Sequence, residues 1–180
     1  MTDNQPVATE KAPSVFPTAL KWGLLAGIIS IVFSLYGYIT ESFGNIFLAL
    51  AVSLIISITI LVLAMRDYRK SNGGYMTYMQ GLILGIVTMV IASFISGLFT
   101  MLYVQFIDPT IPEKMVDAAL EQMIMLGVDD SVIEEQRETI LAENTPVNQL
   151  WGALKNGLFG GLILSLIISA IMKRSRPEFE

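Results

Sequence analysis

Three short stretches of this 180-residue chain carry side chains that could do chemistry. The first is MRDYRKSNGGYMTYMQG, Met65 to Gly81. It sets Arg66, Arg69 and Lys70 ahead of Gly73 and Gly74, with Tyr68, Tyr75 and Tyr78 interleaved. A nucleotide loop needs glycines followed by Gly-Lys-Ser/Thr at a helix start. Here Lys70 precedes the glycines and no such triplet follows. Three bases also fall short of the roughly four to eight that mark a phosphoinositide patch. The second stretch gathers Asp129, Asp130, Glu134, Glu135 and Glu138. Carboxylates suit a divalent cation, but the spacing and glycine of a calcium loop are missing, and a run of like charge reads as a solvated helix face. Paired carboxylates for glycoside chemistry would need a pocket that two short helices do not offer. The third is Lys155-Asn156, set inside an apolar run, where a charge marks a substrate path, pairs with another group or snorkels to the surface.

The residues that are missing narrow the chemistry further. The chain has no cysteine and no histidine. Disulfides, thiolate metal sites and thiol nucleophiles are therefore excluded, as is a Ser-His-Asp triad within this chain. The commonest general base and the commonest zinc ligand are absent too. The sequence is expected to be non-enzymatic, with no catalytic residue, no metal site and no cofactor.

The elements that carry these stretches are apolar. Hydrophobic residues make up 53% of the chain and charged residues 15%. Four apolar runs, about 20–39, 45–65, 79–107 and 150–172, each reach the ~20 residues that a helix needs to cross a bilayer. Inside a bilayer the backbone must satisfy itself, so the runs are helices, and none alternates like a barrel strand. The third run is longer than one crossing requires and is expected to tilt or project. Ahead of them, residues 1–17 are polar with three prolines and read as a disordered cytoplasmic tail. The rest, 18–180, reads as one transmembrane domain.

Basic residues orient the spans. Lys11 and Lys21, then Arg66, Arg69 and Lys70, then Lys173, Arg174 and Arg176 all fall on one side of four crossings. Basic flanks stay in the cytoplasm, so Arg66, Arg69, Lys70, Lys173 and Arg174 are expected topology anchors, with both termini inside. The expected site is a bacterial cytoplasmic membrane. Aromatic residues fall at both sets of ends, Tyr68, Tyr75 and Tyr78 among them, where interfacial belts belong. Gly73 and Gly74 supply turn conformations that other residues resist, and read as the hinge between the second and third spans.

The segment 108–149 is different. Ten acids against two bases give it a net charge of −8. Thr110 to Leu126 opens on Thr-x-x-Glu (Thr110, Glu113) and stops before Gly127; Ser131 to Glu143 opens on Ser-x-x-Glu (Ser131, Glu134). Val116, Ala119, Leu120, Met123 and Ile124 share one face of the first helix, and Val132, Ile133, Ile140 and Leu141 one face of the second. Helices this short need tertiary contact. They are expected to form an extracytoplasmic hairpin packed on the membrane surface, the bundle ends or a partner.

Within the spans, small residues recur at helical spacing. Gly23/Gly27, Gly81/Gly85 and Gly157/Gly161 are three Gly-x-x-x-Gly pairs in three helices. In lipid, close backbone approach drives helix association, so these six glycines are expected packing positions, within the chain or across a homo-oligomer face. Lys155 lies five residues past Leu150, ~7.5 Å along the axis. It is expected to snorkel toward the acidic hairpin or pair with it, a transport role being the sharper alternative.

The order of parts resembles a family of small four-helix bacterial membrane proteins known only as domain of unknown function four-one-nine-nine. LKWGLLAGIIS opens the first helix, RDYRKSNGGYMTYMQGLILG joins the second and third, a charged two-helix insert follows, and GGLILSLIISAIMKR closes the fourth. The tyrosine-basic-Gly-Gly connection is the most specific of these. The resemblance implies an integral membrane protein with no assigned activity, and it brings no catalytic residues. The expected fold is an all-α four-helix membrane bundle with a two-helix insert between the third and fourth spans. The expected partners are the lipid bilayer and a membrane or extracytoplasmic protein, without nucleic acid. The expected role is structural, accessory or regulatory, with a small oligomeric channel or transporter as the alternative.

Overall fold

The computed structural model describes residues 13–40, 46–143 and 145–175, without the side chains of 46, 130 and 138–143. It is all-α, with six helices and no strand among the described residues: α1 Phe16–Thr40, α2 Ile46–Ser71, α3 Tyr78–Phe106, α4 Ile111–Met125, α5 Asp130–Glu143 and α6 Pro146–Met172. Helices α1, α2, α3 and α6 are long and apolar enough to cross a membrane. Much of their large apolar surface faces outward, Leu24, Ile28, Ile55, Phe94, Phe159 and Ile171 included. Water would not tolerate so continuous an apolar exterior, whereas lipid does.

Two spans start on well-formed caps. Thr77 accepts from the Gln80 backbone N–H (3.2 Å) while its own N–H donates to Gln80 Oε1 (2.9 Å), a reciprocal box at the start of α3. Thr145 accepts from the Asn148 N–H (3.2 Å), with Pro146 in the first turn of α6.

Helix α3 is the hub, packed along its length on α6 and α1. The α3–α6 seam is antiparallel and keeps one register: Gly81 faces Ser169, Gly85 faces Ser165, Met89 faces Gly161, Ser93 faces Gly157 and Gly97 faces Ala153. A methyl group placed on any of these five glycines would come within 2.6 to 2.8 Å of the facing Cβ. Backbones approach this closely only where one partner has no side chain. Helix α1 runs parallel to α3, with Gly23 against Ile91 (2.7 Å from its Cβ) and Gly27 against Ile95 (2.9 Å), by the same measure. All six glycines of the three Gly-x-x-x-Gly pairs thus serve contacts within the chain.

Helix α2 is attached at one end. Ile60, Leu61, Ala64, Met65 and Tyr68 are buried, whereas Phe47, Leu48, Leu50, Leu54 and Ile55 are exposed. Its packed half closes a cluster with Ala19, Met76, Leu84 and Ile168, at the end where α1 and α3 begin and α6 finishes. This is the basic end, and the opposite one, carrying α4 and α5, is the hairpin end.

Three sequence expectations change. Residues 1–12 of the expected disordered tail lie outside the described residues, but 13–17 are ordered. Helix α1 begins at Phe16, Pro17 fits its first turn, Val15 packs on the core and the Pro13 carbonyl accepts from Tyr68. Thr110-x-x-Glu113 is not a capping box: Thr110 is helical in backbone and makes no side-chain cap bond. Asp108, two residues earlier, takes the Thr110 N–H (2.9 Å) and hydroxyl (2.6 Å) instead. Asp129 does the same for Ser131 (3.0 and 2.6 Å), replacing the expected Ser131 box. An ionised carboxylate is the stronger acceptor for exposed N–H groups at a helix start.

Candidate functional site

The stretch Met65 to Gly81 is built into the basic end by bonds to both neighbouring chain segments. Tyr68 is fully buried and its hydroxyl donates to the Pro13 carbonyl (2.9 Å). It therefore packs inside the protein and not as a lipid-facing belt residue: an aromatic ring with one polar tip has found an internal partner. Asn72, also buried, donates to the Tyr75 carbonyl (2.8 Å) and shapes the turn. Gly73 (φ 63°) and Gly74 (φ 88°) occupy the left-handed region that the turn requires. The next residue but one, Met76, exchanges two backbone hydrogen bonds with Arg174 (2.9 and 2.8 Å), clamping the turn to the end of α6.

Charge is organised around the same clamp. Asp67 Oδ2 accepts from Lys21 Nζ (2.8 Å) and Trp22 Nε1 (2.9 Å), joining α1 to α2. Lys21 also lies 5.5 Å from the Trp22 ring centre, within cation–π range. Arg69 donates to the carbonyls of Gly74 (3.3 Å) and Met172 (3.5 Å). An open cavity of about 510 Å³ lies beside these groups, lined by Arg66, Arg69, Lys70, Arg174, Asp67 and Trp22 among others. Arg174 is the fourth base, brought to the other three from a hundred residues away in the chain. Asp67 was not singled out from the sequence. The signal was legible all the same, as the one acid inside a basic connection.

The hairpin end is assembled differently. Helices α4 and α5 share their own cluster of Val116, Leu120 and Ile133, with Met123 and Val128 against it. Arg137 holds Asp117 (3.0 Å) and approaches Glu113 (3.8 Å), tying α5 to α4. The Asp117 carboxylate raises the Arg137 pKa. Gly127 (φ 79°) turns the chain between them. The cap bonds from Thr110 and from Ser131 hold the carboxyl groups of Asp108 and Asp129, respectively, below the usual carboxylate range. Ile111 joins a buried cluster with the long helices, beside Tyr38 and Val104. Tyr38 is itself packed inward, its ring 5.0 Å from Tyr103 and its hydroxyl 3.1 Å from Thr100 Oγ1.

Between α4 and α6 lies a cavity of about 840 Å³, lined by Lys155, Asn156, Trp151 and Gln149 opposite Pro112 and Met115. Lys155 is exposed and makes no ion pair among the described residues, so the expected pairing with the hairpin is not seen there. A smaller cavity of about 290 Å³ adjoins it through Thr100, Gln149 and Ala153, and Ser30, Ser34, Ser53, Ser57 and Ser96 line it from three helices. The half of α2 toward the hairpin end is mostly exposed and borders this space. Of the acidic cluster, Asp130 and Glu138 have side chains outside the described residues, and no group of three metal-ligating residues comes together among the rest.

A family model described as Protein of unknown function (DUF4199) matches residues 21–174. No curated protein and no solved structure matches. The match spans all six helices, from the second turn of α1 to the residue that clamps the turn, and the chain belongs to this family.

Proposed function

We propose that this is a non-enzymatic, multi-pass protein of the bacterial cytoplasmic membrane. In this reading α1, α2, α3 and α6 form a transmembrane four-helix bundle, with both termini and the 66–78 connection in the cytoplasm. The α4–α5 insert faces the other side and docks a protein partner, so the role is accessory or regulatory. The observation that carries the reading is the hairpin tip. Ile124, Met125 and Leu126 are 55%, 76% and 69% exposed on a unit with its own apolar cluster and its own ion pairs. An apolar tip framed by acids suits a partner surface with an apolar centre and a basic rim. Deleting 111–143 should leave membrane insertion intact and abolish partner capture by crosslinking in native membranes. Unchanged crosslinks would sink the proposal.

A small channel or transporter is the second reading, favoured by the serine-lined cavity and its neighbour with Lys155. Against a continuous path within one chain stand Leu61, Met65, Tyr68, Met76 and Leu84, fully buried across the basic half. A polar path would then need an oligomer. Solute flux in purified proteoliposomes, lost on Lys155→Ala, would support this reading, and absence of flux for any ion or small solute tested would count against it.

A further inference from the structure

We propose that the basic-end cavity binds the phosphate headgroup of one anionic phospholipid from the adjoining leaflet. Four cations, Arg66, Arg69, Lys70 and Arg174, line one space of about 510 Å³. Its single acid, Asp67, already accepts from Lys21 and Trp22, so the cavity keeps a surplus of positive charge. Four bases beside a membrane span reach the number that marks anionic lipid recognition, where the three of the sequence stretch alone do not. Guanidinium groups match phosphate oxygens in pairs, and Arg69 is oriented in advance by its bonds to the Gly74 and Met172 carbonyls.

The remaining wall selects a lipid over a free anion. Trp22 and Leu63 belong to the apolar spans α1 and α2 and line the same space. An acyl chain can lie against them while its phosphate meets the bases. A soluble phosphate would gain the charge contacts only and leave this apolar wall in water. Indole rings favour the depth where headgroup meets hydrocarbon, as Trp22 would here.

The test uses the full chain in nanodiscs, in a Trp151→Phe background, so that Trp22 is the one indole. Brominated phosphatidylglycerol should quench Trp22 at a lower mole fraction than brominated phosphatidylcholine. Arg66→Gln, Lys70→Gln and Arg174→Gln should each reduce that preference about fivefold, one base's contribution beside an anionic headgroup. The Met76–Arg174 clamp is made by backbone atoms and survives the last change. Lys173→Gln removes an equal charge from an exposed base outside the cavity and should leave the preference unchanged. Equal quenching by both lipids, a loss with Lys173→Gln matching the others, or removal of the preference by inorganic phosphate would each overturn the proposal.

Discussion

The two ends of the molecule solve opposite problems. At the basic end, segments from around residues 13–22, 67–76 and 172–174 are bound to one another by buried side chains, backbone bonds and an ion pair. At the hairpin end, α4 and α5 hold chiefly each other, and two cavities separate or adjoin the elements there. The basic end has a cavity of its own, but its described segments are cross-tied around it and resist local opening. An end whose short helix pair shares a buried cluster with the long helices through Ile111, among the described residues, should open at lower cost. In the proposed function, the tied end anchors the chain and the hairpin end meets the partner.

Overpacking the seam that feeds the tight end should have the largest effect. Gly85→Leu would drive a side chain into Ser165 and Leu61. A loss of ~3 kcal/mol or more is expected, read as a lowered thermal midpoint in detergent. Gly160→Leu, at a glycine with open space around it, should change stability by no more than ~0.5 kcal/mol and barely move the midpoint. Equal losses would break the register described for α3 and α6.

Tyr68→Phe should cost ~1 kcal/mol, because it leaves the Pro13 carbonyl without its donor inside the protein. The loss should be confined to the basic end, with faster amide exchange over 13–20 and unchanged exchange over 111–137.

Acid should loosen the hairpin end. Asp108 and Asp129 have folded-state pKa values below their unfolded ones, so their contribution is present above the unfolded carboxylate value of about 3.9. It is lost as pH falls through the lowered folded values. Amide exchange over α4 and α5 should therefore accelerate as pH falls below about 4, after correction for intrinsic rates, and Asp129→Asn should keep the cap while blunting that dependence at α5. Arg137→Gln should have the smallest effect, since its partners are exposed.

How much of this was legible in the sequence depends on whether the signal was local. Long apolar runs are local, and the spans and the turn before Gly127 follow from them. Glycine spacing named the close-packing positions but not their partners, because Gly85 meeting Ser165 is a property of two helices eighty residues apart. The caps were misread for a simpler reason. Ser and Thr with a glutamate three residues on match a box, yet Asp108 and Asp129 stand two residues ahead and accept more strongly. Arg174 shows the same limit at the candidate site, since its place beside the other bases arises only when the turn folds back on α6; Asp67 was legible as the one acid of a basic connection, but its partners Lys21 and Trp22 on α1 were not.

The most direct test of the central claim, that the two ends lie on opposite sides of a membrane, uses the absence of native cysteine. Single substitutions Glu121→Cys on α4 and Ser175→Cys beyond α6 both fall at exposed positions. In intact spheroplasts, a membrane-impermeant maleimide should label the first at once and the second only after permeabilisation. Labelling of both, or the reverse order, would contradict the account.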